Sequence, residues 1–112
     1  MCGIFGILNL DESPVSLSLL DRLTDSLKHR GPDGRGTYLN NCIGLGHRRL
    51  SILDTSELGA QPMKTENNST IITYNGEVYN FKEIRSELKS LGHIFKSECD
   101  TEVVLKSWLE WG

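Results

Sequence analysis

An apolar run over residues 4–8, broken by Gly6, starts almost at the first residue of the chain. It reads as a buried strand, with glycine admitting a close approach of neighbouring backbone. Met1 and Cys2 therefore stand immediately in front of a sheet. The run lacks a basic flank and leads directly into Asp11 and Glu12, so it is not expected to be a signal peptide. No apolar stretch approaches the ~20 residues of a membrane helix. A net charge of -3 with scattered Lys and Arg leaves no basic stripe for nucleic acid. The expectation is a cytoplasmic protein that binds neither membrane nor nucleic acid. With 112 residues the chain has the length of one small domain.

The rest of the chain mixes helical and strand patterns. Ser13-Pro14 reads as a helix N-cap followed by proline at the first helical position. Leu19, Leu20, Leu23 and Leu27 continue at helical spacing until Gly31-Pro32, where glycine suits a left-handed cap. Residues 37–39 and 42–45 form a predicted hairpin around Asn40-Asn41. The stretch HRRLSILD (47–54) reads as a strand end running into loop, and residues 55–69 as a long exposed loop. STIITY (69–74) is a strand that stops at Asn75-Gly76. Asn80 and Glu83 form a capping pair for a helix with Phe81, Ile84, Leu88 and Leu91 as its buried stripe, closed by Gly92. Residues 93–96 suggest one more strand. Asp100 caps a last helix carrying Val104, Trp108 and Trp111 on one face. This order predicts layered α+β with antiparallel strands rather than regular βαβ.

Three cysteines, Cys2, Cys42 and Cys99, lie far apart, with no CxxC pair and no His at metal-ligand spacing. A disulfide framework and a structural metal are both disfavoured. Cys42 and Cys99 read as structural thiols, and His29, His47 and His93 carry no pairing signal. Cys2 is different. A small residue after Met1 favours removal of the initiator, which leaves Cys2 with a free α-amine of pKa near ~8. Such an amine can take the thiol's proton, so one residue supplies nucleophile and base. On position alone, a cysteine at position two is more often chance. Asn75 beside the Gly76 N–H offers two donors for one oxygen, as an oxyanion hole requires, but Asn-Gly alone more often marks a turn. Arg48 and Arg49 are forks for a carboxylate, though surface arginines are common. Asp100 suits an ammonium group as well as a cap.

Five blocks, in order, carry a stronger signal together: MCGIFGI (1–7), HRGPD (29–33), HRRLSILD (47–54), YNGEVYNF (74–81) and Asp100-Thr101-Glu102. They resemble the class II glutamine amidotransferases, and RLSILD with NGEVYN resembles the glutaminase domain of glutamine-hydrolysing asparagine synthetases in particular. The resemblance implies a four-layer αββα sandwich of antiparallel sheets. It implies Cys2 as the catalytic thiol, with Asn75 and Gly76 holding the oxyanion. Arg49 would take the α-carboxylate of L-glutamine, and Leu50, Ser51, Ile52 and Leu53 would form the neighbouring wall. Asp100 would take the α-ammonium and Glu77 would flank the site. No metal is implied here. Members of the family continue into a synthetase domain using ATP and Mg, and nothing in this chain resembles its phosphate loop. The expectation is therefore an N-terminal fragment, incomplete as a sandwich, whose full-length form could be a homodimer. The alternatives are a related amidotransferase whose acceptor is a sugar, peptide or antibiotic precursor, and a non-catalytic glutamine-binding module.

Overall fold

The hairpin expected at Asn40-Asn41 forms one residue further along. β2 (Gly34–Asn40) and β3 (Ile43–Arg49) pair antiparallel with Asn40 opposite Ile43, and Asn41 takes left-handed backbone at φ 51°. β1 (Gly3–Leu8) pairs antiparallel along the other side of β3, giving the order β1-β3-β2. The structure, a computed structural model, describes residues 1–51 and 56–112.

One face of this sheet carries α1 (Leu17–Asp25). Gly44 and Gly46 of β3 lie flat beneath Val15, Leu20 and Thr24, so the helix approaches the strand backbone closely. The helix begins later than Ser13-Pro14 suggested. Ser16 is the cap, its hydroxyl accepting the Leu19 N–H, while Ser13 is held by Asp11 instead. Only Leu20 and Thr24 of this helix are fully buried. Arg35 of β2 ties the helix down through Asp21 at 2.7 Å and Asp25 at 2.6 Å. Gly31 does not adopt a left-handed cap. It is glycine because the Arg48–Arg49 backbone passes where a Cβ would stand. The close approach expected at Gly6 falls at Gly3, where a Cβ would come within 2.9 Å of Leu27 Cβ.

Gln61, Lys64, Thr73 and Tyr74 contact the sheet from the side opposite α1. The stretch read as an exposed loop contains a 3-10 turn, Glu57–Gly59, and buries Gly59, Gln61 and Thr65. Within it β4 (Met63–Lys64) pairs antiparallel with β5 (Ile71–Ile72). The strand expected over 69–74 is thus reduced to Ile71–Ile72, because β4 offers a partner only that far. Thr73 leaves the ladder and donates its hydroxyl to the Gly46 carbonyl of β3 at 3.3 Å, and Gln61 O packs on Gly36 of β2.

α2 (Phe81–Ser90) starts after Asn80 as expected, but the Asn80 side chain makes no capping bond. Gly92, at φ 99°, closes it, and the His93 N–H reaches back to the Leu88 carbonyl. Leu88 is buried and Leu91 is not; Arg85 joins the buried side, stacked over the Phe81 and Phe95 rings. Residues 93–96 form no strand. The buried Glu102 side chain accepts the Lys96 and Ser97 N–H groups, together with the Ser97 hydroxyl. α3 (Asp100–Trp111) has Cys99, not Asp100, at its cap position. Its Val103 and Leu105 are buried, as is Leu88 of α2, the helix it packs against. The fold is compact α+β with antiparallel sheets, and no helix among the described residues is long and apolar enough to cross a membrane.

Much apolar surface stays uncovered. Ile4, Leu8 and Ile43 share the sheet face opposite α1 and are 46%, 57% and 39% exposed; Trp108 and Trp111 of α3 are 63% and 53% exposed. Apolar patches and unpaired strand edges of this kind drive association. Residues 1–112 expressed by themselves are expected to bind an environment-sensitive apolar dye and to self-associate. Leu8→Thr combined with Ile43→Thr, cross-strand neighbours on that face, should reduce both effects. Dye fluorescence and sedimentation velocity provide the check, and a monodisperse, dye-silent chain would contradict this account.

Candidate active site

The antiparallel register sets Gly3 opposite Arg48, so Cys2 is delivered beside the end of β3. There the Leu50 N–H donates to Cys2 Sγ at 3.3 Å, and the Leu50 carbonyl lies 3.6 Å from the sulfur. Arg30 Nε adds a bond to the Cys2 carbonyl at 3.1 Å. The thiol is therefore held by backbone contributed from nearly fifty positions away.

A cavity of about 370 Å³ opens in front of this thiol. Cys2, Arg49, Leu50, Asn75, Gly76, Glu77 and Asp100 all line it. Of the remaining sequence-derived site residues, Ser51 lies beside a second concavity, of about 290 Å³, with its N–H on Asp33. Ile52 and Leu53 fall outside the described residues. Among the described residues no group of three or more His, Cys, Asp or Glu side chains could hold a metal ion.

Strand alternation separates the two arginines. Arg49 points to the cavity side, where Nη1 donates to the Ser56 carbonyl at 2.6 Å. Arg48 is buried on the helix side, bonded to the Gly31 carbonyl and facing Asp25. Asp100 sits at the first residue of α3, at the positive end of the helix. Its Oδ2 accepts the Val78 N–H at 2.9 Å, which ties the Asn75-Gly76 loop to α3. That loop is not a hairpin turn; it leads straight into α2. Gly76 leaves room for its neighbour, since a Cβ there would stand 2.7 Å from the Tyr74 hydroxyl, which would have to shift. Burial pushes that hydroxyl's pKa up, and the charges of Asp100 and Glu77 push it further, so Tyr74 remains a neutral phenol.

Sequence reasoning missed Gly59, Gln61, Tyr74, Tyr79, Cys99 and Thr101, which share the wall. Gln61 lay in a stretch that looked like polar loop, and one buried amide leaves no periodic signal. Cys99 read as a structural thiol, and it is buried against the Ser97 hydroxyl at 3.0 Å while also facing the cavity. His47 read as uninformative. It is fully buried, and its Nε2 lies 3.1 Å from the Tyr74 carbonyl, so Nε2 carries the proton and donates.

One cavity on an α+β fold thus gathers a thiol, a side-chain amide beside a glycine, one cation and one anion. Residues 1–112 match the family described as glutamine amidotransferase domain, and the chain belongs to that family. It is 40% identical over 114 residues to asparagine synthetase (glutamine-hydrolyzing) 3 of Bacillus subtilis (strain 168), covering 99% of this chain and 18% of the relative. It is 38% identical over 113 residues to asparagine synthetase (glutamine-hydrolyzing) 1 of Arabidopsis thaliana, covering 100% of this chain and 19% of the relative. The enzyme numbered 2 from Oryza sativa subsp. japonica is 39% identical over 113 residues, with the same coverage. The chain thus spans less than a fifth of the length of these relatives.

Burial holds the His47 pKa below its ordinary 6.5, opposed by the bond to the Tyr74 carbonyl and assisted by the positive charge of Arg49. An unfolded chain takes up this proton at higher pH than the native one does. The stability contributed by neutral His47 is therefore complete above about pH 6.5 and is lost as pH falls through the lower native value. His47→Gln, which cannot titrate, is expected to flatten the fall in unfolding free energy between neutral and mildly acid pH. Denaturant unfolding across that range measures it; equal slopes for both proteins would refute the buried neutral assignment.

Proposed function

We propose that this chain hydrolyses L-glutamine to glutamate and ammonia through a thioester on Cys2. The observation that carries the reading is that Cys2, Asn75-Gly76, Arg49 and Asp100, scattered through the sequence, line one cavity. Met1 lies at the rim of that cavity. Its removal converts the Cys2 nitrogen from an amide into the α-amine that accepts the thiol's proton. The sulfur then attacks the substrate carboxamide carbon. Asn75 Nδ2 and the Gly76 N–H stabilise the resulting oxyanion. Collapse of the tetrahedral adduct breaks the C–N bond, and the amine returns its proton to the departing nitrogen. Water, deprotonated by the same amine, attacks the thioester, releases glutamate and restores the thiol.

Arg49 grips the α-carboxylate and Asp100 the α-ammonium, with Leu50, Ser51, Ile52 and Leu53 as the neighbouring wall and Glu77 at the flank. In the whole protein the ammonia would serve asparagine synthesis on a synthetase domain outside these residues. The steps assigned here use only glutamine, water and this chain's own side chains. The fold reading that accompanies this function is the four-layer αββα sandwich. Two observations support it: α1 covers one face of the β1-β3-β2 sheet, and the β4-β5 segment approaches the other.

Cys2→Ala is expected to abolish ammonia release while leaving glutamine bound. Arg49→Ala should instead weaken binding, by about 2–5 kcal/mol for loss of a charge-assisted pair. Ammonia assay and calorimetry on the intact protein separate the two. Normal glutamine binding by Arg49→Ala would remove Arg49 from the site, and Arg48, buried on the other face, would not replace it.

A further inference from the structure

The Asn75-Gly76 loop has no strand ladder to hold it, since β5 ends at Ile72. Its backbone is anchored by side chains instead. The Tyr74 N–H donates to Gln61 Oε1 at 2.6 Å, and the Tyr74 carbonyl accepts from His47 Nε2 at 3.1 Å. Both backbone polar groups of the residue before Asn75 are thus held by buried side chains. The His47 bond fixes the plane of the Tyr74–Asn75 peptide; the Gln61 bond fixes where that peptide starts.

Gln61 does a second thing. Its Nε2 donates to Thr101 Oγ1 at 3.1 Å, one residue beyond Asp100 on α3. The amide cannot be turned round, because the Tyr74 N–H only donates and so must face Oε1. One carboxamide therefore spans from the backbone that precedes the oxyanion donors to the helix that carries Asp100. Gln61 itself is fixed, with its backbone carbonyl packed on Gly36 of β2. Although it lines the cavity, both polar ends of its side chain are already engaged with protein.

We propose that Gln61 is a positioning residue for glutamine hydrolysis, holding the Asn75-Gly76 donors at a fixed distance from Asp100. The proposal rests on the glutaminase reading above. Its consequence is specific to the transition state. Oxyanion donors act only when held to a fraction of an ångström, whereas Arg49 and Asp100 keep their own anchors at Ser56 and Val78. Loss of the brace should lower kcat and leave KM near its wild-type value.

The test uses the intact protein with glutamine, measuring ammonia release under saturating and limiting substrate. Gln61→Met keeps the volume and removes both hydrogen bonds; kcat should fall on the order of 10- to 100-fold. Gln61→Glu still accepts from the Tyr74 N–H, and the Thr101 hydroxyl can turn to donate, so most of kcat should return. Thr101→Val breaks only the link to α3, and added to Gln61→Met it should cost nothing more. Unchanged kcat in Gln61→Met, or a rise in KM alone, overturns the proposal. So does failure of Gln61→Glu to recover activity while Thr101→Val is silent. If Gln61→Met does not fold, Gln61→Glu and Thr101→Val decide the matter between them. Wild-type protein that releases no ammonia, or a Cys2→Ala variant that still does, would instead sink the glutaminase reading itself.

Discussion

The site depends first on the pairing of β1 with β3. That register joins the second residue of the chain to Leu50, whose N–H and carbonyl both meet Cys2 Sγ. A terminal residue would ordinarily fray. Here it directly precedes β1, which is hydrogen-bonded to the central strand of the sheet, and its sulfur meets the Leu50 backbone. The same alternation that turns Arg49 toward the cavity turns Arg48 toward α1, and with it the two arginines separate into a site group and a structural one.

A second constraint governs the opposite wall. Helices and ladders supply their own backbone partners, but the Tyr74–Val78 segment lies in neither, and unmet buried polar groups are costly. The chain meets the need with Gln61 and His47 at Tyr74 and with Asp100 at Val78. His47 sits buried within that arrangement, where burial holds its pKa below the ordinary 6.5. The Asn75-Gly76 loop is thus held by side chains rather than by secondary structure.

Elements with a local signal were legible from residues alone. The hairpin, the first strand, the helix after Asn80 and the Gly92 stop all follow from turn chemistry, periodicity and capping. Misplacements occurred where competing local signals were close together, as when Ser16 took the cap role from Ser13 because Asp11 had already engaged the latter. The strand expected at 93–96 is absent because Glu102, a residue on the following helix, claims the backbone donors there. No pattern within 93–96 could have revealed that competition.

Residue type and order alone point to the candidates: a thiol at position two, an Asn-Gly pair, an arginine and an aspartate, in blocks resembling one family. Their chemistry follows from residue type, which needs no coordinates. That they share one cavity, that Arg49 rather than Arg48 faces it, and that Gln61, Tyr74, Cys99 and Thr101 are among its other walls came from the packing of distant segments. Hydrogen bonds such as Gln61 to Thr101 join positions forty residues apart. Such a pairing depends on where two backbones pass each other, and no local pattern of residues encodes that.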